Sequence, residues 1–275
     1  MEKAKIKGFE VRELKTDAEV DKCIDLQGEI WGLDELGRMS PLTLKSLIAD
    51  EPKMAIILGG FLYDDMIAVH INLPTMEPYT VYGHMFGIVK KYRNLNIGYF
   101  MMKNLYKILK QRHIKKMIWT YEPLEGRNAN NYLNKSGACA VKYLQDYYHV
   151  VNEMSDGMPI DRFMVEVNFD DKFHSQKTFL REPLFTMEDA LKKIPIALAD
   201  FLPETDEVLI EIPNDLQSLK NINMDQAIKF RLDTRKIFTE YINKRHFVAV
   251  YLYTGIIDGQ RKNYYLVQNI NKTLK

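Results

Sequence analysis

The alternation of apolar and polar residues at the start of the chain predicts a strand followed by a helix. Residues 9–14 alternate between apolar and charged, as in a short half-buried strand. Thr16 and Glu19 have the spacing of a capping box, so a helix is expected to begin there and to end at Trp31-Gly32. The chain is therefore predicted to open with a strand, a cap and a helix.

The next segment predicts a second helix and a hairpin. Ser40 precedes a predicted helix over 41–48 and is the expected N-cap. Two apolar runs, 54–63 and 66–73, are joined by a short acidic connection that favours an antiparallel hairpin.

The middle of the chain predicts a strand–helix–strand unit. A strand is expected over 81–89, and the helix after residue 98 carries an apolar stripe that predicts packing on a sheet. The stripe consists of Met101, Leu105, Ile108 and Leu109. Further predicted elements are a strand at 116–121, a helix at 127–135 and a strand at 163–169. Because strands precede this unit, the fold class is predicted to be α/β (α+β) with a mixed sheet.

A looser, proline-containing stretch predicts a domain boundary near residue 175. The prediction is a first domain over 1–175 and a smaller α/β unit over 176–275 packed on it. The tail is expected to contain a strand at 208–212, a helix at 225–243 and a hairpin around Asp258-Gly259. We find no repeat by register, although the helix-then-hairpin order resembles the second half of the first domain. One possibility is that the tail completes a sheet shared with that domain.

Composition and charge exclude several classes of protein. The chain has 275 residues, 46% of them hydrophobic, and a formal net charge of +1, which disfavours a nucleic-acid partner. Cys23 and Cys139 are too few for a disulfide framework, so a reducing, cytoplasmic location is expected. The sequence has neither an apolar run of membrane-spanning length nor clustered metal ligands, so neither a membrane nor a metal is predicted.

The segment between strand 81–89 and the following helix has the features of a pyrophosphate site. A helix N-terminus presents unpaired N–H groups and a positive dipole end. Gly98 permits close approach of the backbone, and Arg93, Lys90 and Lys91 add positive charge. The same residue types also occur in ordinary strand-to-helix turns, and spacing alone does not decide between the two readings.

The residues from Tyr92 to Gly98 resemble the acyl-CoA pyrophosphate loop of the GNAT acyltransferase superfamily. That pattern is Arg or Gln, two residues, Gly, any residue, then Gly or Ala. Asn96 stands where glycine is usual, and asparagine is the next best tolerated residue at positive φ. A largely uncharacterised group of predicted acetyltransferases in this superfamily has further similar segments. They are His84 to Val89, Trp119 to Leu124, Arg127 to Ala129, Leu133 to Ala138, Tyr147-Tyr148, Asp161-Arg162, Glu211 to Pro213 and Arg231 to Tyr241.

The resemblance implies a GNAT-like fold with a mixed, mostly antiparallel sheet flanked by helices, and a C-terminal unit like half of a GNAT domain. It also implies acetyl-CoA or another acyl-CoA as cosubstrate, with its pantetheine arm hydrogen-bonded like an extra strand. The implied contacts are backbone groups of Phe86 and Ile88, the charge of Arg93, amides of Asn94, Leu95, Asn96, Ile97, Gly98 and Tyr99, and the side chains of Asn128 or Asn131.

The implied reaction is direct attack of an amine on the thioester, which needs a base and an acid. Glu122, at the end of its strand, and His84 are the candidate bases, and each is also read as an ordinary surface or half-buried residue. Leu133 occupies the register position of the tyrosine that GNAT enzymes often use as acid. Tyr148, Tyr147 and Tyr132 are the alternatives, against a simple packing role.

Two further charged segments allow two interpretations each. The basic residues of 110–116 are interpreted as a contact for the 3′-phosphate of CoA or as cations that answer the helix dipole. Asp161-Arg162 is interpreted as a structural ion pair or as a substrate clamp.

Two functions from different classes follow from these residues. The first is an acyl-CoA-dependent N-acyltransferase that acts on an unidentified small-molecule or peptide amine, as a monomer or homodimer. The second is a non-catalytic acyl-CoA-binding sensor or scaffold of the same fold, motivated by Asn96 and by the missing tyrosine.

Overall fold

The computed structural model describes residues 6–49, 51–148, 157–169 and 185–269. The chain consists of two compact units, residues 1–118 and 119–275. The boundary predicted near residue 175 lies outside the described residues. Both units combine helices with mostly antiparallel strands, so the predicted fold class is confirmed. Within the described part of the chain, no helix has both the length and the apolar character of a membrane span.

The first unit contains four antiparallel strands in the order β1-β2-β3-β4. The strands are β1 (Phe9–Glu13), β2 (Ile56–Leu62), β3 (Asp65–Pro74) and β4 (Thr80–Ile88). The helices are α1 (Asp17–Trp31), α2 (Pro41–Ile48) and α3 (Ile97–Gln111). These are the elements that the apolar patterns predict, and the hairpin of β2 and β3 is confirmed.

The helix ends in this unit follow their predicted chemistry with one exception. The Thr16 hydroxyl accepts from Glu19 N and the Glu19 carboxylate accepts from Thr16 N, each at 3.2 Å, which confirms the capping box. Ser40 is the N-cap residue of α2, as predicted, but its side chain makes no capping hydrogen bond. Pro41 stands at the start of α2, where its fixed φ favours helix formation without a side-chain cap.

The apolar stripe of α3 packs on β1 and β2. Met101, Leu105 and Leu109 are fully buried, as predicted, whereas Ile108 is only half-buried. Gly60 of β2 permits the close approach, because a Cβ there would lie 2.8 Å from the sulfur of Met101.

A buried histidine in this unit gives a prediction for the pH dependence of stability. His70 of β3 stacks on Phe86 of β4 with ring centroids 4.6 Å apart, and burial lowers the pKa of its imidazole from 6.5 to about 3. As the pH falls below about 6.5, the unfolded state binds a proton that the native imidazole does not bind. We expect wild type to lose about 2 kcal/mol more stability between pH 7 and pH 5 than His70→Phe does.

Urea unfolding at the two pH values measures this difference. His113→Asn is the control, because His113 is exposed and its replacement should leave the pH dependence unchanged. Equal losses of stability in wild type and His70→Phe would contradict a neutral, buried His70.

Among its described residues, the second unit contains six strands in the order β5-β7-β6-β9-β10-β8. They are β5 (Lys116–Tyr121), β6 (Cys139–Leu144), β7 (Arg162–Asn168), β8 (Glu207–Ile212), β9 (Val248–Ile257) and β10 (Gln260–Gln268). The helices are α4 (Gly126–Ala129), α5 (Met187–Lys193), α6 (Leu216–Ile222) and α7 (Met224–Phe238). The sequence patterns did not predict β6, α5 and α6. Strands from both sides of the predicted domain boundary join in one sheet here.

This unit is an internal repeat, so the expectation of no repeat by register is wrong. Residues 130–144 correspond one by one to residues 239–253. After α4 and after α7 the helix continues as a π-helical turn, Asn130–Lys135 and Thr239–Lys244. Each turn is followed by a residue at positive φ, Gly137 at +72° and His246 at +58°.

The two copies, β5 to β7 and β8 to β10, meet at equivalent positions. Ala140 of β6 pairs with Ala249 of β9, its own counterpart in the repeat. Bulges occur at the same place in both copies, at Val141 and at Val250. The strand order is therefore symmetric about the β6–β9 pair. The likeness of the tail to half of a GNAT domain stays a prediction.

Two equivalent asparagines join the copies. The side chain of Asn134 accepts from Leu252 N and donates to Leu252 O, both at 2.9 Å. Asn243 makes the same two bonds to Tyr143, at 2.9 and 2.8 Å. The side chain of each asparagine thus makes the two hydrogen bonds that a neighbouring strand residue would make. It satisfies the backbone N–H and C=O groups of one residue in the other copy.

Candidate functional site

The loop of residues 93–98 connects β4 to α3 through a short 3₁₀ turn at Lys90–Tyr92. Asn94 and Asn96 both adopt left-handed backbone conformations, with φ of +70° and +60°. Asparagine tolerates this region better than other residues with a Cβ. Asn96 therefore adopts a left-handed conformation, which glycine adopts most readily, at the position where the GNAT loop pattern usually has glycine.

The loop is at the surface of the first unit. Asn94, Leu95 and Asn96 are exposed, and Leu95 keeps 48% of its surface accessible. The Asn96 side chain makes no capping hydrogen bond to α3, and the first backbone bond of the helix runs from Phe100 N to Asn96 O at 3.3 Å. The amides of Ile97 and Gly98 lie at the dipole end of a 15-residue helix, and of these two residues Ile97 is buried and Gly98 half-buried.

Gly98 lies next to two side chains of β4. A Cβ at Gly98 would be 3.6 Å from Ile88 Cδ1 and 3.7 Å from Phe86 Cζ. Val89 N donates to Ile67 O of the neighbouring segment. Because backbone groups alternate along an antiparallel strand, those of Ile88 and Phe86 point away from β3, as pairing with an extended ligand would require.

Arg93 is fixed close to the loop by the end of β4. Its Nε donates to Ile88 O at 3.0 Å, which places a positive charge beside the loop. The same bond occupies the Ile88 carbonyl on the side where a ligand strand is predicted. Ile88 N and the Phe86 backbone are not involved in this bond.

Glu122 follows β5 in the second unit and is held by two donors. Its Oε1 accepts from Leu124 N at 2.9 Å and from Nη2 of Arg231 in α7. The Glu122 side chain keeps 16% of its surface accessible, whereas that of Arg231 is fully buried. The candidate base therefore has one anchored carboxylate oxygen and retains access to solvent.

Glu122 and Arg231 belong to a larger charge cluster, which also contains Asp146, Asp161 and Arg235. Arg235 Nη2 lies 2.6 Å from Asp161 Oδ1 and 3.0 Å from Asp146 Oδ1, and Asp161 also accepts from the Tyr143 hydroxyl. Hydrogen bonding to Asp161 raises the pKa of Arg235. Burial alone would lower the pKa of Arg231, and the Glu122 carboxylate reverses that shift. Both arginines are therefore charged.

The predicted acids have different surroundings. Tyr148 is exposed, contacts Tyr147 edge-on with ring centroids 4.9 Å apart, and has the Arg162 guanidinium 5.5 Å from its ring centroid. Tyr132 is packed against Trp119, and burial raises the pKa of its hydroxyl to about 12. The phenol of Tyr132 therefore keeps its proton at neutral pH, and the exposed phenol is that of Tyr148.

The remaining predicted residues are found in both units. His84 is exposed on β4, where partial desolvation lowers the pKa of its imidazole and keeps it neutral. Asn128 lies in α4, and Asn131 lies in the π-helical turn with its Oδ1 accepting from Lys135 at 3.0 Å. Asp161 and Arg162 bond to different partners, Asp161 to Arg235 and Arg162 to the carbonyl of Thr120 at 3.2 Å.

The basic segment 110–116 lies at the far end of α3 from the loop. The 15 residues of α3 separate the two ends by roughly 20 Å. Arg112 pairs with Glu13 at 2.5 Å and Lys116 with Glu77 at 2.6 Å. These ion pairs favour the interpretation as ordinary helix-end cations over a contact with a CoA phosphate.

Arg231 and Arg235 are charged residues of this cluster for which the sequence alone predicts no role. The sequence feature that could indicate Arg231 is its position on the buried side of a helix. Arg231 shares that side of α7 with Ala227, Thr234 and Phe238. A charged residue is rarely buried without a partner. Among the described residues, no three or more His, Cys, Asp or Glu side chains lie together as a metal site would need.

A scan against protein-family models gives no match, and no curated protein matches the sequence. Several solved structures are similar to the chain. The ribosomal-protein-S18-alanine N-acetyltransferase from Escherichia coli is 12% identical, with a TM-score of 0.47, over 64% of this chain and 98% of that one. A GNAT-family acetyltransferase from Streptococcus pneumoniae is 13% identical, with a TM-score of 0.47, over 58% and 98%.

A further similar structure is the PaiA N-acetyltransferase from Thermoplasma acidophilum in complex with coenzyme A. It is 16% identical, with a TM-score of 0.40, over 58% of this chain and 98% of that one. These three proteins are acetyltransferases.

Proposed function

We propose that this chain is a GNAT-type, acyl-CoA-dependent N-acyltransferase that uses acetyl-CoA and acylates a small-molecule or peptide amine. The observation that carries the proposal is the exposed loop 93–98, whose left-handed asparagines lead into the N-terminus of α3 beside Gly98. Such a terminus binds a diphosphate through its amides and its dipole.

The residues of the first unit fit acyl-CoA. Amides from Asn94 to Tyr99 would bind the diphosphate, and Arg93 would add charge beside it. Backbone groups of Phe86 and Ile88 N, which point away from β3, would pair with the pantetheine arm. A contact of Asn128 or Asn131 with acyl-CoA stays a prediction.

The proposed reaction is attack of the amine nitrogen on the thioester carbonyl carbon. A C–N bond forms and the C–S bond breaks, with the thiolate leaving. Glu122 takes the proton that the amine loses, and Tyr148 supplies a proton to the thiolate. His84, neutral and exposed, is the alternative base and would act through a water molecule.

Obstruction of the loop is expected to weaken binding of the cosubstrate. Gly98→Trp should lower the affinity for acetyl-CoA and desulfo-CoA at least about tenfold, because the indole extends from the position that faces Ile88 and Phe86. Isothermal titration calorimetry measures the dissociation constants. Lys107→Trp is the matched control, because it adds the same side chain to an exposed position of α3. Equal affinities in the two variants and wild type would remove the proposed site.

A transfer assay separates the enzyme from the alternative, a non-catalytic acyl-CoA sensor. The protein is incubated with acetyl-CoA and a panel of small-molecule and peptide amines, and released thiol is followed with a chromogenic reagent. Amine-dependent release supports the transferase. Binding of acetyl-CoA without transfer to any amine supports the sensor. Cytoplasmic location, a monomeric or homodimeric state, and the absence of metal, membrane and nucleic-acid partners stay predictions.

A further inference from the structure

The internal repeat offers a comparison between two copies of the same fold. Phe163 pairs with Tyr143 in the first copy, and Tyr265 pairs with Leu252, the counterpart of Tyr143, in the second. Asp161, two residues before Phe163, therefore corresponds to Asn263. This position is charged in the first copy and uncharged in the second.

The strand ends show the same difference. Pro123 follows β5 and Pro213 follows β8, and alignment of the two prolines matches Glu122 with Ile212. The second copy thus forms the same strands with uncharged residues at both positions. The repeated fold does not require these carboxylates.

Arg231 comes from a part of α7 that the first copy lacks. In the register of the repeat, Gly126, the first residue of α4, corresponds to Arg235. The turns of α7 before Arg235 have no helical counterpart before α4. Arg231 lies in these turns, so it is an addition to the repeated fold.

The burial of Arg231 is costly for an arginine. Its side chain is fully buried, Nη2 donates to Glu122, and Nε lies 4.0 Å from Asp161 Oδ2. Nε and Nη1 have no hydrogen-bond partner among the described residues. Replacement of a buried ion pair by apolar residues is often neutral or stabilising. The second copy has the uncharged Asn263 and Ile212 at these positions, and the first keeps its charges.

We propose that Arg231 is a positioning residue for Glu122, so that the C-terminal copy completes the candidate catalytic apparatus with one side chain. This inference rests on the proposed acyltransferase function. Arg231 and Leu124 N hold Oε1, which directs Oε2 of Glu122 to the proton of the acceptor amine. The buried hydroxyls of Tyr121 and Tyr265, 3.1 Å apart, also lie near this carboxylate.

A double-mutant cycle in kcat tests the assignment. Arg231→Gln should lower kcat roughly a hundredfold, because a misplaced base loses its geometry, and should leave the KM for acetyl-CoA within about twofold. In the Glu122→Gln background, Arg231→Gln should cause no further fall, because the two residues act as a unit. Arg231→Lys, which keeps the charge, should retain more activity than Arg231→Gln.

Arg235→Gln is the matched control, since it removes the same charge one helical turn away and its bonds go to Asp146 and Asp161. In the Arg235→Gln/Glu122→Gln double variant, the reductions in kcat caused by the two substitutions should multiply. Circular dichroism and urea unfolding establish which variants are folded. If Arg231→Gln does not fold, the cycle is run with Arg231→Lys, whose fall in kcat must likewise vanish in the Glu122→Gln background.

The outcomes separate this inference from the proposed function. Two results would overturn the positioning role but not the proposed function, provided that wild type releases thiol. In the first, the reductions in kcat caused by Arg231→Gln and Glu122→Gln multiply. In the second, a folded Arg231 variant has the kcat of wild type. Absence of thiol release by wild type with every amine overturns the proposed function, and the positioning role with it. A fall in kcat that disappears without Glu122 supports both.

Discussion

Asn134→Ala is expected to lower the free energy of unfolding by about 3 kcal/mol. The side chain of Asn134 is buried and satisfies both backbone groups of Leu252, itself buried, at 2.9 Å each. Alanine leaves a buried N–H and a buried C=O without these partners, and each such loss costs about 1–3 kcal/mol. The loss falls where the two copies of the repeat meet.

Urea unfolding of wild type and variant measures this change. Asn243→Ala should be destabilising for the same reason, because Asn243 makes the equivalent bonds to Tyr143. Asn214→Ala, at an exposed position, is the control and should change stability by less than about 0.5 kcal/mol. Wild-type stability of Asn134→Ala would contradict the proposed role of these bonds in joining the copies.

Glu122→Gln is expected to lower kcat for amine acetylation by about a hundredfold or more. Glutamine keeps the size and one oxygen of the side chain but cannot take the proton of the attacking amine, a step that contributes typically 10²- to 10⁴-fold. Binding of acetyl-CoA should not change, since the proposed diphosphate contacts lie in the loop 93–98. Steady-state kinetics and calorimetry on the same samples separate the two effects.

The matched control for this prediction is Glu125→Gln. Glu125 is three residues away, and its Oε1 accepts from Gln217 at 2.7 Å. Its replacement should leave kcat within about threefold. If Glu122→Gln also retains turnover and His84→Gln loses it, the base is His84 and the assignment to Glu122 is wrong.

Local features of the chain were predictable because they depend on residues close in sequence. The capping box of Thr16 and Glu19 and the stripe of α3 follow from helical spacing and side-chain chemistry. The loop 93–98 was predictable for the same reason, since its asparagines and Gly98 lie within six residues. β6 was not predicted, because its first residues Cys139 and Ala140 are small and have little strand preference.

The repeat and the charge cluster depend on residues that are far apart in sequence. Five of the fifteen residues of 130–144 are identical to their counterparts in 239–253, but the connections before β7 and β10 differ in length, so one register does not align the two copies throughout. The backbone reveals the repeat through its π-helical turns and bulges. Similarly, 109 residues separate Glu122 from Arg231, and neither position indicates the other as a partner.

The central claim is that the amides opening α3 bind the diphosphate of acyl-CoA. Titration of ¹⁵N-labelled protein with desulfo-CoA, followed by amide NMR, tests it most directly. We predict that the amides of Ile97, Gly98 and Tyr99 show the largest shifts and saturate together. Saturation of shifts elsewhere while these three amides stay unchanged would contradict the claim.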